Sequence, residues 1–334
     1  MDKKIFITVQ LLFVLTFAIA KQKEKPLVYP TDSKIIFDIC FFENGEKLAV
    51  ADNTNIKIFS TKSQEVLDEF GSVHDDRILA IDVSNDVRLL ASSGRDGKVV
   101  IWDLFKKSNP QNIALNGTIG TSLSFSPDSK YLAIGCANGK LQIYDIENKR
   151  IKTELNDHKK DITSVHFSPD GKLLACASGD KTISLYSAEN TNLITTLKGH
   201  KNWVRHISYS SIEKLMSCGD DSKVILWNLS DLKNITHKRT RHSGLRIITS
   251  TDFFSDSISY VTTGITGKII ILSPVGNYKI TMKKPINKAV FVPNEKHIMK
   301  LVVATQGLGV IQIEAVNMKF IRKRIIKEKQ FEKE

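Results

Sequence analysis

Short segments that alternate between apolar and polar residues recur along the chain at a nearly constant interval. Each reads turn, apolar, polar, apolar, aromatic, polar, and the clearest copies span residues 96–103, 138–145 and 221–228. Alternation of this kind is typical of a β-strand with one covered face. The aromatic slot falls at positions 59, 102, 144, 186, 227, 272 and 314, in steps of 41 to 45 residues. The period indicates one supersecondary unit repeated seven times.

One repeat illustrates the predicted unit. After the turn at 155–158, the hydrophobic pattern predicts four short strands, at 162–167, 173–177, 182–186 and 193–197. Ser168-Pro169-Asp170-Gly171-Lys172 has the composition of a tight turn. The second strand is continuously apolar, as expected where both faces are covered. A single sheet of this size cannot bury both of its faces, so neighbouring units must stack against it.

Two dipeptides carry a resemblance to a known family. Gly199-His200 is followed by Trp227-Asn228, and His74 by Trp102-Asp103. With the Ser-Pro-Asp turns at 126–128 and 168–170, these residues resemble the WD-repeat β-propeller family over residues 27–318. The resemblance implies an all-β fold, a single seven-bladed β-propeller of four-stranded antiparallel blades. It says little about function.

The resemblance also implies a structural tetrad in which a loop His, a strand Ser or Thr, a turn Asp and an aromatic residue satisfy one another by hydrogen bonds. Two repeats carry all four residue types, as His74, Ser92, Asp96 and Trp102 and as His200, Ser217, Asp221 and Trp227. The repeat at 158–186 keeps its His and Asp but has Cys176 and Tyr186. The repeats at 115–146 and after 274 lack the His, and the one at 242–272 lacks the Asp and the aromatic residue.

Ring closure has two candidates. Residues 27–29 stand where Leu155 and Leu197 stand in later repeats, so they are predicted to add the outer strand of the last blade. Residues 318–326 compete for the same edge. Either segment would cover a strand edge that otherwise invites aggregation. We expect the N-terminal strand to close the ring.

Residues 1–20 differ from the rest of the chain. Lys3 and Lys4 precede a mostly apolar run that ends in Ala18-Ile19-Ala20. This layout predicts a signal peptide, a linker at 21–26 and an exported protein, periplasmic or secreted. The alternatives are an uncleaved anchor, a buried N-terminal strand or a cytoplasmic location. No other run is long enough to span a membrane. Cys40, Cys136, Cys176 and Cys218 lack the spacing of metal or redox motifs, and we expect the last three to be buried thiols rather than disulfides.

The net charge of +12 lies largely at the ends of the chain. The tail at 319–334 holds seven basic and three acidic residues, and the linker holds three lysines and one Glu. Such runs are usually solvated tails, so nucleic acid is a disfavoured partner. Polyanion binding through these tails remains an alternative.

No catalytic or metal-binding motif stands out, and no cofactor is predicted. The recurring histidines suit a repeated structural device better than zinc ligands, because equivalent positions on neighbouring blades diverge. The innermost strands begin without acidic residues, at 78–81, 123–125 and 207–209, which argues against a channel enzyme. We therefore predict a non-catalytic scaffold for protein–protein interaction, with a hydrolase or lactonase in the central channel as the alternative.

The upper rim of the ring is where the resemblance places a partner. Rim positions precede the first strand of each blade or the Asp of its central turn. We expect a protein or peptide partner, and a monomeric ring within a complex, with Trp203 at the centre of the site because interfaces favour Trp, Tyr and Arg. The alternative is that Trp203 merely packs on its own blade. Arg205 and Arg95 are expected to flank the indole, and the predicted partner-binding set is completed by Arg77, Asp161, Asp220 and Phe37.

Overall fold

The computed structural model describes residues 27–71, 73–106, 110–241, 247–254, 258–274, 276–293 and 299–315. Within these ranges the chain forms 28 strands and one short 3-10 turn, Glu43–Gly45. The strands build seven four-stranded antiparallel sheets, which we call blades 1 to 7. None of the residues in these ranges forms a helix long and apolar enough to cross a membrane. The prediction of an all-β, seven-bladed ring is confirmed.

Each of the first six blades takes four consecutive strands, ordered from the channel outwards. Blades 1 to 3 contain β2 (Ile39–Phe42), β3 (Lys47–Asp52), β4 (Asn55–Ser60) and β5 (Val66–Phe70); β6 (Ile78–Val83), β7 (Leu89–Gly94), β8 (Lys98–Asp103) and β9 (Gln111–Ala114); and β10 (Gly120–Phe125), β11 (Tyr131–Cys136), β12 (Leu141–Asp145) and β13 (Arg150–Leu155).

The remaining blades follow the same plan. Blades 4 to 6 contain β14 (Ile162–Phe167), β15 (Leu173–Ser178), β16 (Thr182–Ser187) and β17 (Leu193–Lys198); β18 (Val204–Ser211), β19 (Lys214–Gly219), β20 (Lys223–Asn228) and β21 (Thr236–Arg241); and β22 (Ile248–Phe253), β23 (Tyr260–Gly264), β24 (Lys268–Ser273) and β25 (Gly276–Thr281). Blade 7 contains β26 (Ile286–Phe291), β27 (Met299–Thr305), β28 (Val310–Ala315) and β1 (Leu27–Tyr29).

The strands of blade 4 match the four predicted segments to within one residue. The turn between β14 and β15 is held by Ser168, whose hydroxyl donates to Asp170 Oδ1 at 2.7 Å and accepts from the N–H of Leu173 at 2.9 Å. Gly171 has φ +71° there, a conformation that glycine adopts without strain. In β15, the run from Leu174 to Ala177 is at most 1% exposed, as its unbroken apolar sequence predicted.

The N-terminal strand closes the ring. β1 pairs antiparallel with β28 and becomes the outer strand of blade 7, so this prediction is confirmed. Tyr29 is fully buried, and its hydroxyl donates to Gln312 Oε1 at 2.9 Å. The competing segment at 318–326 lies outside the described residues. Strand closure between the two ends of a chain ties the first and last blades together without a covalent link.

The hydrophobic core lies between blades. One buried cluster joins Ile56 and Ile58 of blade 1 to Ile81 and Leu90 of blade 2, and similar clusters lie at later boundaries. Cys136, Cys176 and Cys218 are buried free thiols, as expected, and Cys40 is a partly exposed one. The predicted signal peptide, linker and basic tail lie outside the described residues.

Candidate functional site

The complete tetrad of blade 2 is a directional chain of hydrogen bonds. Trp102 Nε1 donates to Ser92 Oγ at 2.9 Å, and Ser92 Oγ lies 2.8 Å from His74 Nε2. His74 Nδ1 lies 3.1 Å from Asp96 Oδ2. If the Ser92 hydroxyl donates to Nε2, each group in the chain has a matched donor or acceptor. Burial lowers the pKa of His74, despite the opposing effect of Asp96, so its neutral form fits this pattern.

The tetrad of blade 5 repeats the same geometry. Trp227 Nε1 donates to Ser217 Oγ at 2.9 Å, His200 Nε2 lies 2.8 Å from that oxygen, and His200 Nδ1 lies 3.0 Å from Asp221 Oδ1. Burial alone would raise the pKa of Asp221. Bonds from His200 and from two backbone N–H groups outweigh burial, so its pKa is lowered. The structure thus assembles both sets of four residues in closed networks.

Blade 4 shows how an incomplete tetrad is rearranged. His158 Nδ1 keeps its contact with Asp180 Oδ2 at 2.9 Å, but Nε2 faces the carbonyl oxygen of Cys176 at 3.1 Å. The hydroxyl of Tyr186 turns to Asp157 Oδ2, at 3.0 Å. Because Cys176 offers no hydroxyl, the aromatic residue and the histidine no longer share a partner.

Four of the predicted partner-binding residues lie together on the rim of blades 4 and 5. Arg205 donates to both carboxylate oxygens of Asp220, at 2.7 Å each, and its guanidinium carbon lies 4.9 Å from the ring centroid of Trp203. The N–H of Gly179, whose Cα packs against that ring, donates to the carbonyl oxygen of Asp161. Lys160 Nζ lies 5.8 Å from the Trp203 ring. We call Lys160, Asp161, Trp203, Arg205 and Asp220 the Trp203 cluster.

The indole of Trp203 rests on the neighbouring blade. A Cβ atom on Gly179 would approach Trp203 Cδ2 to 2.7 Å, so glycine lets the ring lie against the backbone of the blade 4 turn. The ring stays partly exposed. Trp203 therefore packs on the turn of blade 4 as well as beside Arg205 of its own blade. Packing fixes the orientation of the ring while it leaves area for a ligand.

The other predicted rim residues form a second group on blades 1 and 2. The guanidinium carbon of Arg77 lies 5.8 Å from the ring centroid of Phe37, and the N–H of Arg95 donates to the carbonyl oxygen of Arg77 at 2.9 Å. Arg95 is thus on blade 2, and the second cation at Trp203 is Lys160. The same bond, from the N–H of a turn residue to the carbonyl oxygen of a rim residue, recurs on later blades. The pairs are Ala137 to Ile119, Gly179 to Asp161, Asp220 to Trp203, Ile265 to Ile247 and Gln306 to Pro285.

The innermost strands are joined to one another by side chains. Asp38 Oδ2 accepts the N–H of Ile81 at 2.9 Å, and Asp82 Oδ2 accepts that of Phe125 at 2.7 Å. Later blades use the same kind of bond. A side-chain oxygen accepts the backbone N–H of the next blade at Ser122 from Val165, Ser124 from Phe167, Ser164 from Ile207, Ser250 from Ala289 and Asp252 from Phe291. Each bond ties one blade to the next around the central channel.

Charged groups share this channel. Lys288 of blade 7 pairs with Asp38 of blade 1, Nζ to Oδ1 at 2.5 Å. Burial lowers the pKa of Lys288, but Asp38 and its neighbours raise it more, so the ammonium is retained. Lys288 also lowers the pKa of His166, on blade 4, after the larger effect of burial, and that pKa is about 4. Lys288 and His166 lie on β26 and β14, the innermost strands of their blades, so both belong to the wall of the central channel.

Two carboxylates in the channel lack an ion-pair partner among the described side chains. Burial raises the pKa of Asp82, on β6, and of Asp252, on β22, to about 6 each. Backbone N–H groups and Lys288 act in the opposite direction without outweighing burial. Both residues are nevertheless partly exposed, so solvent reaches them. No group of three or more His, Cys, Asp or Glu among the described residues is arranged to hold a metal ion.

Two family models match the chain. The model for the second β-propeller of echinoderm microtubule-associated protein matches residues 88–251, and the WD domain, G-beta repeat, matches residues 66–103. Both fit the seven blades and the two closed tetrads. The chain is a WD-repeat β-propeller. Propellers of these families typically bind proteins and are typically not enzymes. No curated protein matches this WD-repeat chain.

The sequence analysis did not predict the charged residues in the channel of this WD-repeat propeller. The three ranges that we read are free of acidic residues, but Asp82 follows the first of them directly, so these ranges alone did not indicate the carboxylates of the channel. A signal existed in the spacing. Positions 40, 82, 124, 166 and 208 are 42 residues apart and hold Cys, Asp, Ser, His and Ser. Reading one strand position across all repeats would have shown a polar ring.

Proposed function

We propose that this protein is a non-catalytic scaffold that binds a protein or peptide partner on its upper rim. The Trp203 cluster carries the proposal, because a partly exposed indole lies close to the cations of both Arg205 and Lys160. Trp and Arg are the residues most often found at the energetic centres of interfaces. The Arg205–Asp220 pair holds the guanidinium in place beside the ring, so binding would not have to order it.

The rim chemistry favours a peptide over a phosphate chain. The Asp220 carboxylate is paired with Arg205, Asp161 belongs to the same cluster, and carboxylates would oppose a polyanion. The cluster instead offers one aromatic surface with charges of both signs around it. A peptide segment that carries an apolar side chain and a polar flank would complement this arrangement.

Co-purification followed by quantitative binding tests the proposal. The full chain is isolated from its own compartment, the partner is identified and purified, and its affinity is measured by calorimetry. The double variant Trp203→Ala/Arg205→Ala should weaken binding by at least about 100-fold, since two central contacts are lost. Equal affinities of the variant and the wild type would reject the rim site.

A matched control separates the site from general effects of aromatic loss. Phe105 is 74% exposed in the connection between β8 and β9, on the opposite face of the ring. Phe105→Ala should leave affinity unchanged. Thermal melting of both variants checks that the ring is intact, and a partner that is lost equally in Phe105→Ala would indicate nonspecific adsorption.

Export is part of the proposal and has its own test. The support is the basic start, the apolar run and the Ala18-Ile19-Ala20 end of the first 20 residues. N-terminal sequencing of the protein from its natural compartment should begin at Lys21. A chain that starts at Met1 in the cytoplasm would reject export without affecting the rim proposal.

A further inference from the structure

The channel holds an uneven balance of charge. Asp38, Asp82 and Asp252 face one ammonium, that of Lys288, and Lys288 is directly paired with Asp38. His166 and His206 add no positive charge at neutral pH, because burial lowers the pKa of both. Cys40 adds no negative charge, because burial raises the pKa of its thiol. At neutral pH the channel therefore carries an excess of negative charge.

The carboxylates of Asp82 and Asp252 accept hydrogen bonds from Cys40 Sγ or from backbone N–H groups but have no ion-pair partner among the described side chains, and they lie at one level of the channel. Asp82 occupies the same repeat position as Cys40, Ser124, His166 and Ser208, two residues after the position of Asp38. Asp82 and Asp252 belong to blades 2 and 6, with blades 7 and 1 between them on the shorter way round the ring. Asp252 Oδ2 bonds to Phe291 N–H just as Asp82 Oδ2 bonds to Phe125 N–H, which places both at the same level.

A buried hydroxyl points to a ligand at this level. Ser208 is 6% exposed, and its Oγ has no hydrogen-bond partner among the described residues. His206 Nδ1, on the same face of β18, is likewise without one there. Buried polar atoms are ordinarily satisfied, so such atoms call for an explanation. The centroids of the His166 and His206 rings lie 5.6 Å apart, which gives the same wall a flat surface.

From this arrangement we propose that the channel binds a small organic cation with two primary ammonium groups, a diamine, between Asp82 and Asp252 with Ser208 as an additional acceptor. A carboxylate pair on well-separated blades suits two charges joined by a short chain better than a single metal ion, and the described residues offer no metal-binding group. Each ammonium would donate to one carboxylate, and charge-assisted bonds of this kind are the strong ones.

The overall charge of the chain makes the proposal selective. The chain has a net charge of +12, much of it at its two ends, so a diamine has little general attraction to it. Binding would have to come from a local site. The proposal is independent of the rim function, since its residues lie on the innermost strands rather than in the Trp203 cluster.

Calorimetry of the full chain with putrescine, at pH 7.5 and low salt, tests the site. We expect saturable binding with one diamine per chain, and at least about tenfold weaker binding by Asp82→Asn/Asp252→Asn. Asn keeps an oxygen that can accept the backbone N–H of the next blade. The matched control, Glu147→Gln/Glu189→Gln, removes two exposed charges and should bind like wild type.

Two further measurements decide the outcome. Butanediol, which has the same chain length without charge, should not bind. Wild-type affinity should fall between pH 7.5 and pH 5 as Asp82 and Asp252 take up protons, a measurement that needs no variant to fold. Absence of putrescine binding, equal affinity in the double channel variant, equal binding of butanediol, or a pH-independent affinity would each overturn the proposal.

Discussion

The tetrads and the channel are two ways to place polar residues inside the same ring. In blades 2 and 5 each tetrad group has a partner, and the order Trp, Ser, His, Asp repeats with the blade. In the channel, the residue type varies from blade to blade, Ser208 Oγ has no partner among the described residues, and Asp82 and Asp252 have no ion-pair partner among the described side chains. A closed network serves stability, whereas buried groups with shifted pKa values and open bonding capacity are typical of functional sites.

The largest effect is expected from opening a closed tetrad. His200→Ala should lower the free energy of unfolding by about 2–4 kcal/mol, because it leaves Ser217 and Asp221 buried without their central partner. His158→Ala in blade 4 is the matched change and should cost about 1–2 kcal/mol, since Tyr186 there bonds to Asp157 instead. Urea unfolding measures both. Equal losses would show that the closed tetrad adds nothing to stability.

The channel should respond to pH in the opposite sense to the tetrads. Asp82 titrates near 3.8 when unfolded and at about 6 when folded. The folded state therefore binds the proton more tightly, and this group makes the protein less stable as pH rises from about 4 to about 6. Asp82→Asn removes that penalty. Relative to wild type, the variant should gain about 2–3 kcal/mol between pH 4 and pH 7.

Asp96→Asn supplies the comparison for this pH series. The pKa of Asp96 is lowered, because hydrogen bonds from Asp75 N–H, Lys98 N–H and His74 outweigh the effect of burial. Its carboxylate stabilises the fold above pH 3.8, and this contribution is lost as pH falls through the lower folded pKa. The variant should therefore be destabilised at neutral pH. Parallel pH profiles for the two variants would contradict the distinction.

A pair of serines on neighbouring strands sharpens the same contrast. Ser217→Ala removes the oxygen shared by Trp227 and His200 and should cost about 1–3 kcal/mol. Ser208→Ala removes a hydroxyl without a described partner and should change stability by less than about 0.5 kcal/mol in the absence of ligand. Thermal and urea unfolding compare them. A large loss for Ser208→Ala would assign that hydroxyl a structural role.

A small effect is also expected from restoring the missing hydroxyl of blade 4. Cys176→Ser should change the free energy of unfolding by less than about 1 kcal/mol, because His158 Nε2 already faces a carbonyl oxygen. The measurement is again equilibrium unfolding, beside Cys136→Ser as a control in a blade without the His. A gain of several kcal/mol would mean that one hydroxyl suffices to complete the tetrad.

Much of the fold follows from the sequence because the same strand pattern occurs in seven copies. The strands around Leu174 and the residues of both tetrads lie at fixed offsets within one repeat, so an error in one copy is corrected by the others. The partners of Trp203 were harder to predict. Arg95 and Lys160 are both plausible by position, and only the packing of the indole on Gly179 places Lys160 beside it.

The sequence by itself determined the blade count, the strand order within a blade and the tetrad residues, because local alternation and period encode them. Only the tertiary structure decided which residues meet in the channel. Asp38, Asp82, Asp252 and Lys288 are separated by up to 250 positions, and their proximity arises when the ring closes through β1 and β28. The energy of a buried charge depends on what faces it across that space, and no single repeat contains that information.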